Sequence, residues 1–287
     1  VFSNEAGLGS SVMVHSASDV KEPVIQGMWG IFEVFFDTMA TVFQLLDEYG
    51  EEMLDEFRLK IDENGNFYMN YNSQDPSTIR TLDLRFKQDR NFDYYIKNEN
   101  KYFKGKKADN YTEEDLIKLE DLMLEISPEE MFHRLVKQYN MYLLLNPTEE
   151  EVEKYSELSG EEITETLLEK YSIQEIRKYM VVLDAIKMQS YSGYNPTTIA
   201  SNISDETAFV FMQKLNDMPG IDVRYQPVRY YPYGNLASSV IGYVSSISST
   251  QKGKLELKGY DASTDKIGAS GIEAAFEQEL KGAKGEN

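Results

Sequence analysis

Hydrophobic and polar residues follow several different rhythms along this chain. Residues 24–46, VIQGMWGIFEVFFDTMATVFQLL, are almost continuously apolar and form the only stretch long enough to span a bilayer. At about 100° per residue, Gln26, Glu33, Asp37 and Gln44 fall on a stripe about 40° wide, which predicts a helix with one polar edge. Eleven Leu, Ile, Val and Phe side chains favour insertion by roughly 3–7 kcal/mol, whereas Glu33 and Asp37 oppose it by roughly 3 kcal/mol each. Insertion of this helix alone is therefore near break-even. The polar edge suits a helix inside a membrane bundle or lying on a protein or membrane surface, and makes a poor free-standing anchor.

After Asp47 the period shortens. FRLKIDENGNFYMNYN, residues 57–72, alternates apolar and polar positions around Asn64-Gly65 and predicts a β-hairpin closed by a type I′ turn. Asp62, Asn64 and Asn66 have the spacing of a calcium loop, but Phe67 stands where that loop needs glycine and no acidic residue closes it. Calcium is excluded on those grounds. The period then lengthens to that of helices. Thr112…Asp115, Thr148…Glu151, Ser159…Glu162 and Ser172…Glu175 each place a capping oxygen three residues before a carboxylate, and Ser127-Pro128 adds a cap with proline at the first helical position. Helices are expected near 113–125, 128–139, 148–156, 160–170 and 173–189. Their clustered glutamates read as first-turn charges complementing helix dipoles on a solvated face, not as paired catalytic carboxylates.

The last third mixes both periods. Residues 196–203 and 221–231 read as strands, and 205–218 as a helix capped by Ser204. A short helix of small residues is expected over 235–247, and a closing helix over 270–282. A helical run followed by mixed elements makes the fold class α+β rather than doubly wound.

Composition narrows the chemistry. Hydrophobic residues are 41% and charged ones 27%, an ordinary globular balance that argues against wholesale disorder. The net charge of −20 repels nucleic acid and anionic headgroups, so no nucleic-acid partner is expected. With no cysteine and only His15 and His133 as histidines, thiolate and multi-histidine metal centres are impossible, and no cofactor is expected. A hydrolase using the acidic helices has only carboxylate abundance in its favour.

Two resemblances emerge, to different families. From about Asn195 to Gly285 the chain carries PTTIASNISDETA, MPGIDVRYQPVRYYPYGNLASSVIGYVSSI and GYDASTDKIGASGIEAAFEQELKGAKG. This ordered set resembles the non-catalytic N-terminal module of class B penicillin-binding proteins. Arg229, Tyr230, Pro232 and Gly234 fall on that family's R-x-Y-P-x-G pattern, and Gly268, Gly271 and Glu273 on its G-x-x-G-x-E entry into a helix. TMATVFQLLDEYGEEMLDEF and RKYMVVLDAIKMQSYSGYNP look like the enlarged pedestal of clostridial-type members, so the resemblance runs from about Met39 onward. It implies a pedestal on the outer face of the cytoplasmic membrane that carries a transpeptidase domain, docks cell-wall synthesis proteins and can self-associate.

The transpeptidase reaction itself needs S-x-x-K, S-x-N and K-[ST]-G elements. S-x-x-K occurs at Ser18, Ser249 and Ser263, but S-x-N and K-[ST]-G occur nowhere in the sequence. Ser249 to Lys252 lies in a polar run with no apolar helix to bury the lysine. Catalytic residues are therefore expected to be none, and the chain reads as an interior slice of such a protein.

The first 38 residues resemble the sodium:alanine (amino acid:cation) symporter family instead. SNEAGLGS is that family's signature, and His15, Pro23, Gln26-Gly27 and Gly30 fit its pattern, with Val12 where many members have proline. The resemblance implies that Ser3, Asn4, Gly7, Gly9 and Ser10 would line the ion and substrate site of a whole transporter. Both families have a similar stretch at FFDTM, residues 35–39, which places the seam of a chimera there. Expected domains are a symporter-like segment 1–38, a mostly helical pedestal insert with a hairpin 39–195, and an α+β dimerisation-like module 196–287. Membrane association would run only through residues 24–46. The competing reading is a truncated symporter fragment carrying an unrelated tail.

Overall fold

A computed structural model describes residues 23–106, 110–189, 196–225, 232–260 and 265–282. It divides into two compact units that meet in sequence at Val223 and Arg224.

The first unit is helical. It comprises α1 (Pro23–Glu48), a hairpin of β1 (Leu59–Ile61) and β2 (Phe67–Met69), α2 (Pro76–Asp89), α3 (Phe92–Glu99), α4 (Glu113–Glu125), α5 (Pro128–Gln138), α6 (Glu149–Glu157), α7 (Gly160–Leu168), α8 (Ile173–Gln189) and α9 (Asp205–Lys214), with 3-10 turns at Met141–Leu145 and Leu215–Asp217. The helix starts lie where the capping pattern places them. Thr112 Oγ1 accepts from Asp115 N at 3.2 Å while the Asp115 carboxylate accepts from Thr112 N at 3.1 Å, and Ser159/Glu162 and Ser172/Glu175 repeat this exchange. Each pair satisfies two backbone donors that the helix cannot satisfy itself, worth about 1 kcal/mol per cap.

The hairpin forms, but its turn differs from type I′. Gly65 N donates to Asp62 O at 3.1 Å and Asp62 N to Asn66 O at 3.0 Å, and only Gly65, at φ +85°, is left-handed. This is a type I turn followed by a glycine bulge, favoured because the Asp62 carboxylate accepts from the Asn64 and Asn66 amides at 2.8 Å. Residues 196–203 and 221–225 form no strand: Leu54 N donates to Ile199 O with no ladder following, and the backbone bends at Asn202, which is left-handed at φ +57°. Residues 226–231 of the second expected strand lie outside the described residues.

The core gathers one face from most of these elements. Phe36, Met39, Val42, Phe43, Leu45 and Leu46 of α1 are buried in it, with Phe36 and Phe43 edge-on to the Tyr179 ring of α8. The second half of α1 is thus a core helix, with Asp37 half-buried and Gln44 exposed on its polar edge. Among the described residues no helix is long and apolar enough to cross a membrane. Thr38, buried in this face, has a hydroxyl with no hydrogen-bond partner, whereas Thr41 donates to Asp37 O. Thr38→Val keeps the shape and removes an unpaired hydroxyl, so urea unfolding should show a gain of about 1 kcal/mol. A loss of that size would refute the packing described for α1.

Charged groups inside this core are closed into networks. Arg90 donates to both oxygens of Asp184 at 2.6 Å, Tyr139 donates to Asp184 Oδ1 at 2.6 Å, and Arg177 forks onto Asp55 at 2.8 and 2.9 Å. Lys87 reaches Asp83 and the Ile126 carbonyl, and Tyr71 donates to Asp83. Burial, with a carboxylate beside the phenol, pushes the Tyr71, Tyr95 and Tyr139 hydroxyls up, Tyr95 to about 12. These folded-state values lie above the unfolded value near 10, so the neutral phenols' contribution is fully present below about pH 10 and is lost as the pH rises through the folded values. Thermal stability should therefore fall steeply as the pH rises above about 10, coincident with phenolate absorbance. Phenols that titrate near pH 10 while the fold is intact would contradict this.

The second unit is small. It holds α10 (Ser238–Ile241), β3 (Val244–Ser246), α11 (Ser249–Glu256), β4 (Lys266–Gly268), α12 (Gly271–Ala275) and α13 (Glu277–Leu280). β3 pairs antiparallel with β4, Ser245 opposite Ile267. The helix expected over 235–247 is shorter than its small-residue run, because Gly242 ends it and the chain extends into β3. The closing helix is two pieces, broken at Phe276. Helices with two small sheets agree with the α+β class.

Candidate functional site

The glycines of the second unit are where sequence and backbone geometry meet. Gly242 ends α10 at φ +82° and ψ −157°, a region open essentially to glycine. A Cβ there would overlap the Ser270 carbonyl, and one at Gly271 (φ +61°) would overlap the Val240 carbonyl. A Cβ at Gly268 would overlap the Glu273 carbonyl. The backbones of α10 and of the 268–273 turn therefore touch directly, and only hydrogen side chains permit it. The expected residues Gly268, Gly271 and Glu273 are brought together here, and Glu273 is buried.

Two further residues complete this arrangement. Glu277 Oε2 accepts from Gly268 N at 2.7 Å and Oε1 accepts from the Tyr260 hydroxyl at 2.9 Å, while Ala269 N donates to Tyr243 O. Burial and the Glu277 carboxylate push the Tyr260 hydroxyl up to about 12. Neither Glu277 nor Tyr260 was singled out from sequence, since a glutamate in a short exposed-looking helix carries no signal of its partners.

The other expected positions are dispersed or outside the description. Pro232 and Gly234 lie in an exposed turn over 232–237, Gly234 at φ +57°. Arg229 and Tyr230, like Ser3, Asn4, Gly7, Gly9 and Ser10, lie outside the described residues. Tyr233, Leu236, Val240 and Tyr243, in α10 and the residues flanking it, are exposed. Ser249 and Lys252 open α11, a polar helix capped by Ser248 and Gln251. The Lys252 ammonium is mostly exposed, 3.8 Å from Glu256. No apolar surface encloses this lysine beside Ser249. No group of three or more potential metal ligands occurs among the described residues.

A glycine-mediated backbone contact and a buried glutamate hold the small unit together, with no catalytic group among them. The chain belongs to the penicillin-binding protein dimerisation domain family, whose family model matches residues 31–287. Residues 1–44 match the sodium:alanine symporter family, so sequences of two families overlap within α1 and the chain is a chimera of them. Penicillin-binding protein 2A of Bacillus subtilis is 28% identical over 247 residues, covering 77% of this chain and 34% of that protein. The peptidoglycan D,D-transpeptidase MrdA of Acinetobacter baumannii is 33% identical over 87 residues, 30% of this chain and 13% of that protein. An uncharacterized transporter of Haemophilus influenzae is 42% identical over 65 residues, 21% of this chain and 14% of the transporter. The chain thus spans 34% or less of each of these relatives. It carries the pedestal module of a class B penicillin-binding protein.

Proposed function

We propose that this module serves as the non-catalytic support of a peptidoglycan D,D-transpeptidase on the outer face of the cytoplasmic membrane. In this reading residues 39–195 form the pedestal insert and 196–287 the module that meets a transpeptidase domain or other cell-wall synthesis proteins. The observation that carries it is the match over residues 31–287 together with the glycine contact that explains the G-x-x-G-x-E pattern. Ser249 has the nucleophile's spacing to Lys252, but that lysine stays solvated, so the chain binds partners and leaves acylation to another domain. Residues 1–38 contribute a symporter signature whose Ser3, Asn4, Gly7, Gly9 and Ser10 would need the remaining helices of a bundle to hold a cation.

The test uses fluorescent penicillin. The purified chain should remain unlabelled, whereas the same chain replacing the matching third of Bacillus subtilis penicillin-binding protein 2A should give a labelled fusion. Label on Ser249 of the isolated chain, or a fusion that folds without labelling, would overturn the reading.

A further inference from the structure

The hairpin turn between β1 and β2 carries the dipeptide Asn64-Gly65, and both residues are exposed. Neighbouring asparagines have engaged side chains: Asn66 Nδ2 donates to Asp62, Asn98 Nδ2 to the Tyr94 carbonyl, and Asn70 and Asn100 accept from backbone amides. Among the described residues the Asn64 side chain has no such partner, and only its backbone amide is held. Gly65 has no side chain, and a Cβ built there would meet no atom within 4 Å. Steric crowding therefore does not keep the Gly65 nitrogen from the Asn64 carboxamide.

The same turn restrains that approach. Gly65 N donates to Asp62 O at 3.1 Å, and Asp62 Oδ1 accepts from Asn64 N and Asn66 N at 2.8 Å each. Asp62 thus fixes the backbone on both sides of Asn64, while the Gly65 amide proton is tied up in a hydrogen bond.

We propose that Asn64 is a site of spontaneous deamidation and that Asp62 sets its rate. Gly65 N attacks Asn64 Cγ: an N–C bond forms, the Cγ–Nδ2 bond breaks, and ammonia leaves with the proton of the Gly65 amide. Water then opens the five-membered imide. Opening at Cγ gives aspartate, and opening at the backbone carbonyl gives isoaspartate, whose main chain runs through the side chain and is one methylene longer. Water is the only co-reactant. Attack requires the Gly65–Asp62 hydrogen bond to break, so the folded protein reacts through local opening of the turn. Isoaspartate also lengthens the loop that the Asp62 N to Asn66 O bond closes. The hairpin is tied to the helices by Phe67, 4.9 Å from the Phe132 ring, and by the Leu59 carbonyl, which accepts from Arg177. The modification therefore loosens the hold of the hairpin on α5 and α8. This site is independent of the transpeptidase support role proposed above.

The full chain is incubated in mildly alkaline buffer, folded and in guanidinium chloride, and mapped by peptides that resolve aspartate from isoaspartate. The unfolded chain supplies the clock. Asn64 of the folded chain should convert about tenfold more slowly than in denaturant, because hydrogen bonds to Asp62 must open first. It should still convert before Asn66 and Asn70, which are followed by the bulky Phe67 and Tyr71. Asp62→Ala should speed conversion in the folded chain about tenfold, with amide protection in α5 and α8 showing that the variant remains folded. Asn64→Gln should remove the product from this peptide, since its imide ring would need six members. The folded-to-unfolded ratio of the parent chain decides the matter even if Asp62→Ala unfolds. Less than half of Asn64 converted after about a hundred unfolded half-times, equal rates folded and unfolded, or an unchanged rate in folded Asp62→Ala would each overturn the proposal.

Discussion

Asp184→Ala is expected to destabilise the first unit by about 3–5 kcal/mol, read as a lowered urea midpoint at constant slope. Asp184 sits on α8, Arg90 directly follows α2 and Tyr139 directly follows α5, so one carboxylate ties two helix ends to α8. Both charged partners are buried, and removing the acid strands the Arg90 guanidinium against the Phe86 ring, 3.7 Å away, with the Phe86 carbonyl as its remaining acceptor. The cost comes from the uncompensated charge and not from the net worth of the pair, so Arg90→Met in the same chain should recover much of it. A single-mutant loss below about 1 kcal/mol would show that water reaches the site and that the network is not buried as described.

The second large effect belongs to the other unit. Gly242→Ala must leave a backbone region that alanine does not populate and must also push apart the Ser270 carbonyl. Strain of about 1–3 kcal/mol and overpacking of a similar size fall on a unit whose buried side chains are few: Tyr260, Ile267 and Glu273 among the described residues. Local unfolding is the expected result. Amide hydrogen exchange should accelerate at least tenfold across β3 and β4 while the core amides of α5 and α8 keep their protection. Unchanged exchange in β3 and β4 would mean that the glycine contact does not hold this unit together.

What could be read in the sequence follows from how local each signal is. The starts of α4, α6, α7 and α8 were legible because a capping oxygen and a carboxylate three residues later act within one turn, and that of α5 because Ser127 caps it with proline at the first helical position. α2 was legible but went unread: Asp75 accepts from Thr78 N at 2.9 Å with proline at the first helical position. α3 had no such signal, since it begins after a left-handed Asn91 without a side-chain cap. Residues 196–203 looked like a strand because extended, β-branched sequence is all that a strand requires locally. Pairing is not local, and no neighbouring backbone offers it a ladder.

By itself, then, the sequence determined the starts of α4 to α8, the α+β class, the ordered family motif of the second unit and the symporter signature of the first residues. Each depends on residue type and short spacing. Only the tertiary structure decided why Gly242 and Gly271 must be glycines and which carboxylate answers which buried arginine. Those facts arise from backbones and charges distant in sequence meeting in a low-dielectric interior, where an overlap or an unpaired group costs several kcal/mol.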